Sequence, residues 1–175
     1  MNKYIFKPYH EIFPKLFEQE KLRLSKYLTG EYMIEHIGST AVPGLGGKGI
    51  IDIMISVSKD KMRDYSRELE KVGYEFVERS SNNQRLFHWQ DLPDDLERIR
   101  RYHVHLTFLN SKEWMRALAF RDYLRVHPEA VEKYASIKKQ AVGENKVTKE
   151  EYMDKKEPVI NEILEKALST KGDPL

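Results

Sequence analysis

The chain has no cysteine among its 175 residues, which excludes disulfides, zinc–thiolate sites and thiol nucleophiles together. It has no apolar run approaching the roughly 18 residues that a membrane-spanning helix needs. The opening MNKYIFKPYHEIF lacks the apolar stretch of a signal peptide, so a cytoplasmic location is expected, although an absence of cysteine fits secretion as well. A charge excess of one sign is also missing. Lys and Arg number 30 against 28 Asp and Glu, interspersed along the chain, which is not the footprint of a protein that coats nucleic acid. Glycine is scarce, nine in all, yet five of the nine lie between Gly38 and Gly49. No repeat, low-complexity tract or linker breaks the chain, and its length suits a single domain over 1–175.

What is present reads as α+β. Leu16, Phe17, Leu24 and Leu28 recur at helical spacing over 13–29, with Pro14 early and Gly30 as the stop. Short apolar segments predict strands over 32–37, 50–57, 74–77, 85–89 and 102–109, with a helix over 60–73 between the second and third. The polar segment 90–101 reads as a loop or a wide hairpin. The last third reads as helical: 112–126 capped by Ser111, with Leu118, Phe120 and Leu124 inward, then 128–142 ending at Gly143. A final helix follows a Thr148–Glu151 capping box, and Pro158 inside it should kink or restart it. The expected architecture is a mixed sheet flanked by helices, with a helical C-terminal part.

Gly44-Leu45-Gly46-Gly47-Lys48-Gly49 matches G-x-G-x-x-G, but a strand follows where a dinucleotide site requires a helix. A P-loop fails too, because Val42 stands five residues before Gly47 and Gly49 replaces the required Ser or Thr. A third reading starts at the end of the first strand. Ile37-Gly38-Ser39 forms a small turn whose backbone can approach a triphosphate, and Asp52 on the next strand can hold a divalent ion against it. This is the layout of nucleotidyltransferases of the polymerase-β type.

The segment His36-Ile37-Gly38-Ser39-Thr40-Ala41-Val42-Pro43-Gly44-Leu45, with Lys48 and Ile51-Asp52-Ile53, closely resembles the GrpB family. So do His103-Val104-His105-Leu106, Phe120-Arg121-Asp122-Tyr123-Leu124-Arg125 followed by His127-Pro128-Glu129-Ala130, and the spacing of Tyr134 and Lys138. The resemblance runs over about residues 5–168. It implies a nucleotidyltransferase-like fold, and, because a similar domain is fused to dephospho-coenzyme A kinase in some bacteria, a partner in coenzyme A metabolism. It implies no particular substrate.

In that superfamily two carboxylates alternate onto one face of a strand. Here Met54 occupies the second position, and the later strand that would carry a third acid carries His103 and His105. Two explanations stay open. Asp52, His103 and His105 form a site for Mg²⁺, Mn²⁺ or Zn²⁺, with the softer ions suiting imidazole better. Alternatively the site binds a nucleotide or phosphorylated metabolite without two-metal chemistry, and a histidine such as His105 serves as acid or base with Asp52. Gly38, Ser39, Thr40, Lys48 and Arg121 are the candidate phosphate ligands, with His36, Arg85, Arg125, Tyr134 and Lys138 in support.

Each has a plainer reading beside it. Lys48 can be a solvated loop lysine, Arg121 and Arg125 can pair with Asp122, Glu129 or Glu132, and His105 can be a satisfied strand histidine. His10, His88 and His127 read as structural, and Trp89 and Trp114 as core or interface. The leading expectation is a nucleotidyltransferase-fold protein that binds a nucleoside triphosphate and transfers a nucleotidyl group to an acceptor. A non-catalytic nucleotide- or coenzyme-A-precursor-binding module and a His/Asp metal-dependent hydrolase are the alternatives.

Overall fold

The computed structural model describes residues 5–142 and 148–169. Its five-stranded sheet comprises β1 (Met33–Ile37), β2 (Ile51–Val57), β3 (Glu75–Phe76), β4 (Arg85–Asp94) and β5 (Arg98–Phe108), in the order β1-β2-β5-β4-β3. Only the β2–β5 pairing is parallel; β1–β2, β5–β4 and β4–β3 are antiparallel. The helices are α1 (Phe13–Leu24), α2 (Met62–Lys71), α3 (Lys112–Val126), α4 (Pro128–Val142) and α5 (Lys149–Ser169). None of the described helices is long and apolar enough to cross a membrane.

Strand alternation divides the residues between two faces. Ile51, Ile53, Ile55 and Val57 of β2 join Tyr102, Val104 and Leu106 of β5 on one face, where Phe13, Phe17 and Leu24 of α1 and Met62, Tyr65 and Leu69 of α2 close the main core. The other face carries Asp52, Met54, His103 and His105. Trp114 of α3 packs there against Met54 and Ile37. Beyond it α3, α4 and α5 form a second core through Leu124, Val131, Tyr134, Val159 and Ile163, into which Val42 and Leu45 of the glycine-rich segment are sunk.

Several local expectations are decided or adjusted. The first helix ends at Leu24 rather than near residue 29, because the chain tightens to three-residue bonds there: Lys26 N–H donates to the Arg23 carbonyl and Tyr27 N–H to that of Leu24. The segment 90–101 takes the hairpin form, with β4 and β5 paired out to Asp94 and Arg98. Pro93 is tolerated in it because β3 pairs only as far as Trp89, leaving that end of β4 at an edge. Pro158 lies inside α5 and the helix continues through it. The inward face of α3 is Trp114, Ala119, Arg121 and Leu124, with Phe120 and Leu118 only partly covered. The Thr148–Glu151 capping box forms, with Glu151 N–H on Thr148 Oγ1 and Thr148 N–H on the Glu151 carboxylate. Gly143 lies outside the described residues.

His36 and His88 both point into the main core. His36 stacks on Phe17 at 4.7 Å and bonds Thr40, while His88 Nε2 bonds Ser66. Burial pushes each down to about 4. The unfolded chain takes up both protons near pH 6.5 and the folded chain does not until near pH 4. Stability is therefore full above pH 6.5 and falls as pH drops toward 4, by about 1.4 kcal/mol per pH unit for each histidine. Denaturant unfolding at pH 7.5, 6 and 5 checks this. His88→Gln should remove about half of the slope, and a pH-independent midpoint over that range would count against it.

Candidate functional site

The parallel register sets Asp52 directly opposite His103, and alternation along β5 brings His105 to the same face. His103 Nδ1 lies 3.0 Å from Asp52 Oδ1 and His105 Nε2 3.5 Å from the same oxygen. One donor atom from each of the three lies within 4.8 Å of the other two. The Phe87 ring stands edge-on to both imidazoles. Burial works to raise the Asp52 carboxyl, but hydrogen bonds and charge from His103 and His105 outweigh it and hold the acid well below the usual carboxylate range. Burial lowers His105 despite the opposing pull of Asp52. An ionised acid beside a neutral imidazole is the protonation state that metal coordination requires.

Met54 follows Asp52 on this face. It is only 2% exposed, sealed between Ile37 and Trp114. The place of a second strand carboxylate is thus filled by apolar core, which leaves a three-residue donor set that could hold one ion. A carboxylate with two imidazoles suits Zn²⁺ or Mn²⁺ better than Mg²⁺, which prefers oxygen alone.

The triad opens on a cleft of about 270 Å³. Gly38, Ser39, Gly47 and Lys48 form its glycine-rich side, Asp52 and His103 its floor, and Phe120, Tyr134, Lys138, Tyr152, Met153 and Lys156 of the C-terminal helices its far wall. Gly38 has φ +72°, and a Cβ there would fall 2.5 Å from Asp52 Oδ2, so backbone and carboxylate meet with no room for a side chain. A Cβ on Gly47 would fall 2.5 Å from Ser39 Oγ and 3.4 Å from Lys138 Nζ, which shows how closely these groups converge. The Gly47 N–H is already committed to the Lys7 carbonyl at 2.9 Å, so that glycine supplies space rather than a donor.

The loop is held from several sides. Val42 and Leu45 anchor it in the helical core. Arg125 Nε donates to the Ala41 carbonyl, and Lys7 exchanges two backbone bonds with Gly47. Arg100, 2% exposed, donates to Asp94 at 2.5 Å and to the Gly49 carbonyl at 2.6 Å, which ties the hairpin tip to the loop. Lys138 is 3% exposed and donates to the Gly46 carbonyl beneath the Tyr134 ring. Burial first, then the positive charge of Lys156, pushes it down to about 7 against the pull of Asp52.

Of the residues singled out in the sequence, Gly38, Ser39, Lys48, Asp52, His103, Tyr134 and Lys138 meet in this cleft, with His105 beside Asp52. Others lie elsewhere. Thr40 is buried between His36 Nε2 and the Ile50 carbonyl. His36 faces the opposite side of the sheet, as its pairing with Ile53 dictates. Arg121 is buried and spent on Glu35, Asp122 and the His36 carbonyl, so it pins α3 to β1. Arg125 braces the loop, and Arg85 bonds the Ser80 carbonyl and pairs with Glu113. Tyr152, which the helical spacing turns inward, also reaches the cleft, as do Met153 and Lys156, which no sequence pattern points to. Tyr152 and Lys156 stand four apart on a helix, but nothing local says that the terminal helix returns to the loop.

The strand, Gly-Ser turn, short helical turn at Ser39–Ala41, antiparallel strand with Asp52 and parallel partner strand with His103 and His105 form the layout expected from the sequence. The family model described as GrpB protein matches residues 4–166. The chain belongs to the GrpB family. UPF0157 protein PA4798 of Pseudomonas aeruginosa is 37% identical over 90% of this chain, which spans 64% of that relative's length. UPF0157 protein BH1888 of Halalkalibacterium halodurans is 34% identical over 93% of this chain and 81% of its own. The crystal structure of the conserved protein GrpB from Enterococcus faecalis, 31% identical, superposes with a TM-score of 0.81 over 97% of this chain and all of that one. None of these names states an activity.

Gly38→Ala combines a strained φ with a clash on Asp52. It is expected to destabilise by more than the roughly 1 kcal/mol that a Gly→Ala exchange gains at a compatible position, and to weaken Zn²⁺ binding. Thermal unfolding and calorimetric titration of the variant check it, and wild-type values in both would show that the close approach has no consequence.

Proposed function

We propose that this GrpB protein binds a nucleoside triphosphate, or a similarly phosphorylated small molecule, through one divalent ion and transfers its nucleotidyl group to an acceptor. The carrying observation is the placement of Lys138 in the same cleft as Asp52 and His103, with His105 behind them against Asp52. Lys138 is buried with its hydrogen bond on a neutral carbonyl and Lys156 adding like charge, so near pH 7 it holds its proton only in part, and an anion bound beside it would favour the charged form. A polyphosphate meets both needs: its oxygens reach the ion on one side and Lys138, Lys156 and Ser39 on the other.

Asp52, His103 and His105 would hold the ion, which when bound neutralises phosphate charge and polarises the phosphorus–oxygen bond. Ser39 and the lysines would fix the phosphate chain, while Phe120, Tyr134 and Tyr152 narrow access for water. In the transfer an acceptor oxygen or nitrogen bonds to the α-phosphorus and the bond to its bridging oxygen breaks. Pyrophosphate leaves, and the acceptor's proton passes to water. A second reading, a non-catalytic nucleotide- or coenzyme-A-precursor-binding module, is favoured by the burial of Met54 where a second acid would stand. Binding without pyrophosphate release across an acceptor screen would select it.

Calorimetry with Zn²⁺ or Mn²⁺, followed by the four nucleoside triphosphates, tests the binding. The expectation is one ion per chain and triphosphate affinity that depends on it. Asp52→Ala should lose at least about tenfold in ion affinity. Lys138→Met should weaken triphosphate binding by about tenfold while leaving the ion in place. Ion and triphosphate affinities unchanged in Asp52→Ala would remove Asp52 from the site.

A further inference from the structure

A second depression adjoins the candidate site. It has a volume of about 230 Å³ and lies between α3 and α5, lined by Ile37, Ala117, Phe120, Ile160 and Leu164 with Glu113 and Arg116 at its edge. Gly38 and Phe120 line this groove and the first cleft alike. On the Gly38 side no side chain stands between them, and the backbone there lies against the Asp52 carboxylate. The groove and the proposed ion thus lie on either side of one glycine, whose backbone is the wall they share.

The chemistry of the groove differs from that of the cleft. Its walls are apolar, with Ile37 and Leu164 each buried to 7% exposure, and it holds none of the lysines that face the triad. At its outer end it adjoins a polar depression of about 380 Å³ that shares Glu113 and Arg116 and adds Lys112, Asn82, Asn83 and Gln84. Glu113 lies 3.8 Å from Arg85 and so is partly neutralised, whereas Lys112 and Arg116, four apart on α3, present two positive charges on one side.

We infer that the groove between α3 and α5 seats the acceptor, and that the acceptor has an apolar body with an anionic group at the end away from the ion. This rests on the transferase reading above and supplies the substrate class that reading leaves open. The apolar body fills the space against Ala117, Phe120 and Ile160, the anionic end meets Arg116 and Lys112, and the opposite end, carrying the nucleophilic oxygen or nitrogen, passes over Gly38. Donor and acceptor thus occupy separate compartments, one cationic and one apolar, which keeps a second phosphate chain out of the acceptor seat.

The test uses 4-phenylbutyrate and its neutral counterpart 4-phenylbutanol as probes on the full chain, followed by amide-resolved NMR. Saturable shifts are expected at Ala117, Phe120 and Ile160. Arg116→Glu, an exposed position, should weaken phenylbutyrate at least fivefold and leave phenylbutanol unchanged. Ala117→Trp should abolish both responses while Zn²⁺ and triphosphate affinities stay at wild-type values. Shifts confined to the Tyr134 and Lys138 side, or equal phenylbutyrate affinity in Arg116→Glu, would overturn the proposal even if Ala117→Trp proves unstable. Groove binding that persists in a protein with no ion or triphosphate affinity would remove the transferase reading, and the acceptor role with it. A silent groove beside intact ion and triphosphate binding would remove only the acceptor seat.

Discussion

The parallel pairing of β2 with β5 aligns Ile51, Ile53 and Ile55 with Tyr102, Val104 and Leu106, and all six side chains are buried against α1 and α2. That apolar ladder sets the register, because a slip of one residue would turn every one of these side chains out of the core. The polar consequence appears on the reverse face. Asp52 is placed beside His103 and within reach of His105, more than fifty residues away in the chain. The core thus holds the site in place without contributing an atom to it.

The glycine-rich loop is the second element that the site needs, and it is rigid by attachment rather than by composition. Val42 and Leu45 sink it into the helical core, Arg125 and Arg100 bond its carbonyls, and the N-terminal segment pairs with Gly47. Several arginines that suggest phosphate ligands in the sequence have this bracing role. Arg100, Arg121 and Arg125 all bond main-chain carbonyls. The positive charges left facing the cleft are lysines, Lys48 of the loop with Lys138 and Lys156 of the terminal helices, and Lys138 is the most buried of them, at 3% exposure.

Much of this was legible in the sequence where a local pattern has a single geometric meaning. The alternation of His103 and His105, the Gly38-Ser39 turn after a strand and the apolar run of β2 each fixed a face or a position before any tertiary contact was known. What was not legible depends on long-range partners. The polar segment Gln90–Arg101 reads equally as a loop or a wide hairpin, and the Arg100 and Asp94 pair buried at its tip decides for the hairpin. Thr40 and His36 sit in the same motif as Ser39 but turn to the opposite side, which only the pairing of β1 with β2 decides. The arrival of Tyr152 and Lys156 at the cleft follows from the packing of α5 on α3 and α4, and no spacing within α5 announces it.

The central claim is that Asp52, His103 and His105 act together as one metal site. X-ray absorption spectroscopy of the Zn²⁺-loaded protein addresses it most directly, because imidazole rings leave a distinctive outer-shell signature. The account predicts two imidazole nitrogens near 2.0 Å and at least one carboxylate oxygen at about 2.0–2.2 Å, with one imidazole lost in His103→Ala. A zinc environment without imidazole scattering, or one indifferent to that substitution, would contradict it.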